Sequence, residues 1–215
     1  MRYVIMANGK GRRWKNYEGK PKQLIEVDGE TLLARTTRLV TEHDPHAEVL
    51  ISSANPLCVA PGAQRHVPMR NAHELDRFCY ELIEDGTCFL YGDVFYTESV
   101  INAIIRRKTV SAAFFGNEQS IVAVKVGNAK LVKYAITKLI ALVDKGGLAD
   151  AKGWQLYHWM EGMPLSGCAI GGGFDLIHDA TRDFNTPDDW ERFKSERASC
   201  SRQIMKHCEV ELDGQ

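Results

Sequence analysis

Short apolar runs alternate with stretches of helical period through the first 126 residues, and this alternation limits the folds open to the chain. Residues 2–7 are apolar and partly β-branched, and they stop at Asn8-Gly9, as a buried strand does. Residues 24–27 form a second short run, ended by Asp28-Gly29. Thr31 is placed to cap a helix whose Leu32, Leu33, Thr36, Leu39 and Val40 share a face. Residues 48–52 read as a core strand. The spacing of Leu75, Phe78, Cys79 and Leu82 predicts a helix over 72–83. Another strand spans 88–91 and breaks at Gly92-Asp93. Thr97 caps a helix carrying Ile101, Ile104 and Ile105, and strands follow at 110–115 and 121–126. Strands separated by helices at this spacing predict βαβ units around a mostly parallel sheet.

Beyond residue 126 the pattern loosens. Residues 131–143 keep a helical period, 154–160 are rich in aromatics, and Gly171-Gly172-Gly173 marks a turn. A last helix is entered through Thr186-Pro187, with Asp188 and Asp189 suited to its positive end. The polar, basic segment from Gly9 to Lys22 is expected to contribute nothing to a core.

In open parallel sheets, ligands gather beyond the carboxyl ends of the strands. Two sequence features fall there. One is Asn8-Gly9-Lys10-Gly11-Arg12-Arg13, glycines for close backbone approach with cations where phosphates would lie. It is neither the dinucleotide fingerprint, which needs a third glycine, nor a Walker loop, which ends in Gly-Lys-Ser/Thr. The other is Gly92-Asp93. Charge excludes a basic nucleic-acid binder: Lys plus Arg number 27 and Asp plus Glu 28, for a net charge of −1. No apolar run is long enough for a membrane span. The six cysteines form no C-x-x-C pair, and neither His43/His46 nor His207/Cys208 has the second ligand pair that zinc requires. Reduced thiols in a cytoplasmic protein are expected.

Three landmarks in order are more specific than any one of them. Met6-Ala7-Asn8-Gly9-Lys10-Gly11-Arg12-Arg13 is followed by Pro21-Lys22-Gln23-Leu24 and then by Gly29-Glu30-Thr31-Leu32-Leu33. This combination resembles the opening of the sugar-phosphate nucleotidylyltransferase family, with Asn8 in place of Ala or Gly and Arg12 in place of Ser or Thr. Tyr91-Gly92-Asp93 resembles the family's metal-binding strand end. Asp183-Phe184-Asn185-Thr186-Pro187-Asp188-Asp189 resembles its second acidic segment.

The resemblance implies a three-layer Rossmann-like α/β sandwich of the nucleotide-diphospho-sugar transferase type. The whole chain, 1–215, would be one domain. Its 1–126 half would bind nucleotide, about 127–182 the acceptor, and 183–215 would supply a metal-site segment and the C-terminal helix. It implies transfer of a nucleoside monophosphate from a nucleoside triphosphate to a phosphorylated acceptor, as in sugar-nucleotide biosynthesis, with Mg²⁺ as cofactor. Catalytic roles would fall to Arg13, Lys22 and Asp93. Nucleotide contacts would come from Met6, Ala7, Asn8, Gly9, Lys10, Gly11, Arg12 and Asn71, and the metal would be held by Asp93 with Asp183 or Asn185. Trp154, Tyr157, His158 and Trp159 either line the acceptor pocket or pack as an aromatic helix face. The alternatives are a glycosyltransferase-like enzyme, although Asp93-Val94-Phe95 lacks that class's second Asp, and a silent nucleotide-binding subunit. A homodimer stands as an open alternative to a monomer.

Overall fold

The computed structural model describes the backbone of residues 1–212 and the side chains of residues 1–199. Cys200, His207 and Cys208 therefore lie outside the described side chains, as does the end of the 183–215 segment. The chain divides into two compact units. One comprises Met1–Lys10 and Gln23–Asp183; the other comprises Gly11–Lys22 and the chain from Phe184 onward.

Among the described residues the first unit holds every strand: β1 (Arg2–Met6), β2 (Glu26–Val27), β3 (Glu30–Thr31), β4 (Glu48–Ser52), β5 (Gln64–His66), β6 (Cys88–Tyr91), β7 (Val94–Phe95), β8 (Ala112–Gly116), β9 (Ile121–Val126), β10 (Phe174–Leu176) and β11 (Arg182–Asp183). Four helices accompany them: α1 (Leu32–His43), α2 (Glu98–Arg106), α3 (Ala129–Asp144) and α4 (Gly153–Glu161). Seven strands make one sheet in the order β10-β8-β9-β6-β1-β4-β5. All run parallel except β9, which is antiparallel to both neighbours. The mostly parallel α/β sandwich expected from the sequence is therefore what forms.

Side-chain alternation builds the layers. Tyr3 and Ile5 of β1 point to one face, where Leu33, Leu39 and Val40 of α1 and Ile101 and Ile104 of α2 bury them. Val4 and Met6 point to the other, against Leu75, Phe78, and Val132, Ile136 and Leu139 of α3. The expected caps form: Thr31 and Thr97 accept from the amides of Ala34 and Val100, and Asn128 does the same for α3. Asp28 and Gly29, with φ of 55° and 80°, make the two-residue hairpin between β2 and β3. Both central residues need positive φ in such a turn, which Gly and Asp tolerate.

One expected element differs. Residues 72–83 form two 3₁₀ turns, Glu74–Phe78 and Tyr80–Leu82, broken at Cys79, whose φ is 42°. The Asp76 carboxylate accepts from the amides of Ala72 and His73, pinning the tight first turn before an α-helix can propagate. Among the described residues no helix is long and apolar enough to cross a membrane.

The second unit contains α5 (Pro187–Leu212) and the 11–22 loop. The loop does contribute to a core, against expectation: Trp14 is only 1% exposed. Its indole N–H donates to the Lys20 carbonyl at 2.9 Å and its ring meets Tyr17 edge-on. Phe184, Trp190 and Phe193 form a second aromatic cluster, with centroids 5.2–5.8 Å apart.

Candidate active site

The carboxyl ends of β1 and β6 lie side by side, with Met6 in register with Tyr91. Gly92 makes this approach close. Its amide donates to the Met6 carbonyl at 3.0 Å. A Cβ there would come 2.9 Å from that same carbonyl oxygen and 3.3 Å from Ala7 and Leu33. Only glycine fits without displacing backbone, so the turn that presents Asp93 is clamped to the end of β1.

The chain then returns to the same place. β11 pairs antiparallel with β7, setting Asp183 opposite Val94, the residue after Asp93. Thr181 anchors this return, since its hydroxyl accepts from the Thr97 amide at 3.0 Å. The Asp183 carboxylate accepts from the Ser120 hydroxyl at 3.0 Å. Tyr91 senses both acids. Burial pushes its hydroxyl up to about 12; Arg77 opposes that shift, and Asp93, Glu74 and Asp183 add to it. The N-terminus of α4 closes on the same ring, because a Cβ on Gly153 would lie 2.6 Å from the Tyr91 hydroxyl. The result is two half-buried acidic residues at one end of the β7–β11 ribbon, Asp183 on β11 and Asp93 just before β7. That donor set suits Mg²⁺, a hard ion that takes one or two carboxylates and completes its shell with phosphate and water oxygens.

The segment after β1 has a division of labour that its sequence did not reveal. The Ala7 amide donates to the Ser52 carbonyl, and the Ala7 carbonyl accepts from the Ser53 hydroxyl. Met6 and Ala7 are buried, 5% and 4% exposed, with their backbone committed to the sheet. Asn8 accepts from the Ala54 amide at 2.9 Å, so the residue that departs from the family pattern ties the β1 loop to the β4 loop. Gly9 and Lys10 are exposed beyond it, and Asn71 is exposed in the segment after β5.

The second unit carries the remaining candidates. Arg12 and Arg13 are exposed, and Lys22 is partly buried. The Arg13 guanidinium donates to the Asn185 side-chain oxygen at 2.7 Å. The Asn185 atom able to bind a metal is thus shared with a cation, whereas Asp183 is held in the ribbon beside Val94. Asp189 takes the capping role expected of it. Its carboxylate accepts from the Asn185 and Thr186 amides at 3.0 and 2.8 Å, and its own amide donates to the Thr186 hydroxyl. These bonds hold its carboxyl below the usual range, although burial acts the other way.

The aromatic helix α4 packs on the sheet. Tyr157 and His158 are fully buried, Tyr157 meets Phe114 edge-on at 5.1 Å, and Trp154 stacks on Phe174 at 5.5 Å. Among the site neighbours that sequence reasoning missed are Tyr91, Ser120 and Ala54. Tyr91 looked like an ordinary strand residue, and the other two act through long-range contacts with no local signature.

No protein-family profile and no curated protein sequence matches the chain. Solved structures do. One is the CTP:phosphocholine cytidylyltransferase of Streptococcus pneumoniae, 11% identical, with a TM-score of 0.58 over 90% of this chain and 97% of that one. Another is the 4-diphosphocytidyl-2C-methyl-D-erythritol synthase of Anaerococcus prevotii, 13% identical, with a TM-score of 0.58 over 92% and 95%. A Bacillus anthracis protein, provisionally assigned as a glucose-1-phosphate thymidylyltransferase, is 10% identical with a TM-score of 0.57 over 91% and 94%. The chain shares their Rossmann-like fold.

Proposed function

We propose that the chain is a nucleotidyltransferase, moving a nucleoside monophosphate from a nucleoside triphosphate to a phosphorylated small molecule such as a sugar phosphate. The observation that carries this reading is the β7–β11 ladder, which sets Asp183 opposite Val94, the residue after Asp93, at the carboxyl end of β6. The likeness in fold to cytidylyl- and thymidylyltransferases supports it. In the reaction an acceptor phosphate oxygen attacks the α-phosphorus, the bond from that phosphorus to the bridging oxygen breaks, and pyrophosphate leaves. No protein nucleophile is needed, and catalysis comes from positioning and charge neutralisation.

Asp93 and Asp183 would hold Mg²⁺, which when bound supplies Lewis-acid stabilisation of phosphate charge. The ordered motif assigns Lys22 and Arg13 to the triphosphate and its developing charge. Gly9, Lys10, Gly11 and Arg12 are assigned to nucleotide binding, and Asn71 to the base. Asn8 and the committed backbone of Met6 and Ala7 hold the floor under the nucleotide. Arg13 is oriented by Asn185, which makes Asn185 a positioning residue for a cation and leaves Asp183 as the partner of Asp93. The buried free thiols Cys58, Cys79 and Cys88 fit an enzyme that works in a reducing cytoplasm.

The test is pyrophosphate release, measured with Mg²⁺, each nucleoside triphosphate in turn, and a panel of phosphosugars and phosphoalcohols. Release with one triphosphate that depends on one acceptor is expected. Nucleotide binding without turnover across the panel would instead mark a silent subunit. Turnover of a nucleotide sugar in its place would mark a glycosyltransferase.

A further inference from the structure

The sequence offers no zinc spacing, yet the fold assembles metal-ligand chemistry away from the carboxylate pair. His66 ends the edge strand β5, in register with Ser52 at the end of β4. Cys79 and Glu81 come from the broken 72–83 segment. The ligand atoms of His66, Cys79 and Glu81 all lie within 4.8 Å of one another. His66 Nε2 is 2.8 Å from Glu81 Oε1, and Cys79 Sγ is 2.8 Å from the Ser52 hydroxyl. We propose that His66, Cys79 and Glu81 form a binding site for a divalent transition metal of the zinc class, distinct from the Mg²⁺ site and independent of it.

Three observations carry this. First, the donor set is imidazole nitrogen, sulfur and one carboxylate oxygen, which suits a borderline ion such as Zn²⁺ and not Mg²⁺. Second, the spread is close to what such an ion needs. Bonds of about 2.0–2.3 Å in a tetrahedron separate neighbouring ligands by roughly 3–4 Å. The 2.8 Å pair has only to open slightly, and the sulfur already lies within 4.8 Å of both other ligand atoms. Third, Cys79 sits in the left-handed region, where Asn or Gly would be at ease and a cysteine is not. What a cysteine adds at that backbone is its thiol, which lies in the cluster on a residue only 1% exposed. His66 and Glu81 are each 23% exposed, which leaves a path for an ion and a fourth position for water.

Binding exchanges a proton for the ion. The Cys79 S–H bond breaks, a sulfur–metal bond forms, and the proton passes to buffer. Burial pushes this thiol up to about 11 without metal, so it enters the exchange protonated. Nε2 of His66 binds the ion in the neutral tautomer that carries its proton on Nδ1, and Glu81 binds as a carboxylate. The Met69 amide, which also donates to Glu81 at 3.3 Å, keeps that side chain oriented.

Cobalt is the probe. The full chain is titrated with Co²⁺ in excess Mg²⁺, following the intense thiolate-to-cobalt charge-transfer absorption. Saturation at one equivalent, displacement by Zn²⁺, and release of one proton per ion by calorimetry in two buffers are expected. Cys79→Ser should abolish the band, His66→Gln should weaken Co²⁺ binding by at least about 10-fold, and Cys168→Ser, at the exposed thiol, should leave it intact. Absence of the band in the unaltered protein overturns the site, as does a band that survives Cys79→Ser. Should Cys79→Ser not fold, unchanged affinity in His66→Gln overturns it alone. Pyrophosphate release in Mg²⁺ alone reads the transferase function separately.

Discussion

The acidic strand ends and the basic loop are built in opposite ways. Asp183 is set by ladder pairing and by a hydroxyl donor from Ser120, and Asp93 follows a glycine that tolerates no Cβ. The 11–22 loop has no ladder. Its backbone visits positive φ at Gly11, Lys15, Asn16, Glu18 and Gly19, and its order comes from Trp14 and from single side-chain bonds such as Arg13 to Asn185. Strand ends fix direction to within a fraction of an ångström, which a metal ligand needs. Long cations on a turn-rich loop adapt to a polyphosphate, which a charge clamp needs. The contrast implies that acidic substitutions act on chemistry with little tolerance, and that loop substitutions act by degrees.

The sharpest break should come at Asp93. Asp93→Asn is expected to lower kcat/KM by about 1000-fold, in keeping with loss of a preorganised electrostatic contact, while the thermal midpoint stays put. Calorimetry should show weaker triphosphate binding in Mg²⁺ and little change in EDTA; equal loss in both would make Asp93 structural. Lys22→Ala should cost about 100-fold, roughly 2.7 kcal/mol, and unchanged kcat/KM would remove Lys22 from the mechanism. Gly92→Ala tests the clamp itself. Crowding against the Met6 carbonyl should destabilise the first unit by about 1–3 kcal/mol, read as a lower denaturation midpoint; a variant as stable as its parent would show that the strand ends can part.

Asp189→Ala should have the smallest effect, about 1 kcal/mol, as loss of a cap does. Its carboxyl is held below the usual range, so its contribution is full above the unfolded carboxylate value near 3.9 and is lost as pH falls through the lower folded value. The gap in melting temperature between variant and parent should be complete at pH 7, begin to close near pH 4, and vanish in stronger acid. A gap independent of pH would assign the effect to packing.

Much of this was legible because it is local. The apolar runs of β1, β4 and β6, the Asp28-Gly29 hairpin and the Thr186-Pro187 helix start each carry their cause within a few residues. What stayed hidden depends on distant partners. β5 is Gln64-Arg65-His66, an edge strand with no apolar alternation, visible only through its pairing with β4. The β7–β11 ribbon is two residues long and is made by the Thr97–Thr181 tether. Leu75, Phe78 and Leu82 have helical spacing, but Asp76 and the left-handed Cys79 override it. Trp14 was hidden by the charges around it.

The 11–22 loop also carries a statement about timing. Arg13 and Tyr17 find their partners at Asn185 and Glu191, 172 and 174 residues later. Contacts of such separation are the slowest to form, and on a ribosome they wait until residues 185–191 have emerged. Every strand of the seven-stranded sheet is synthesised before that moment. A chain cut after Asp183 would keep all eleven strands and both carboxylates yet leave its loop without these two anchors.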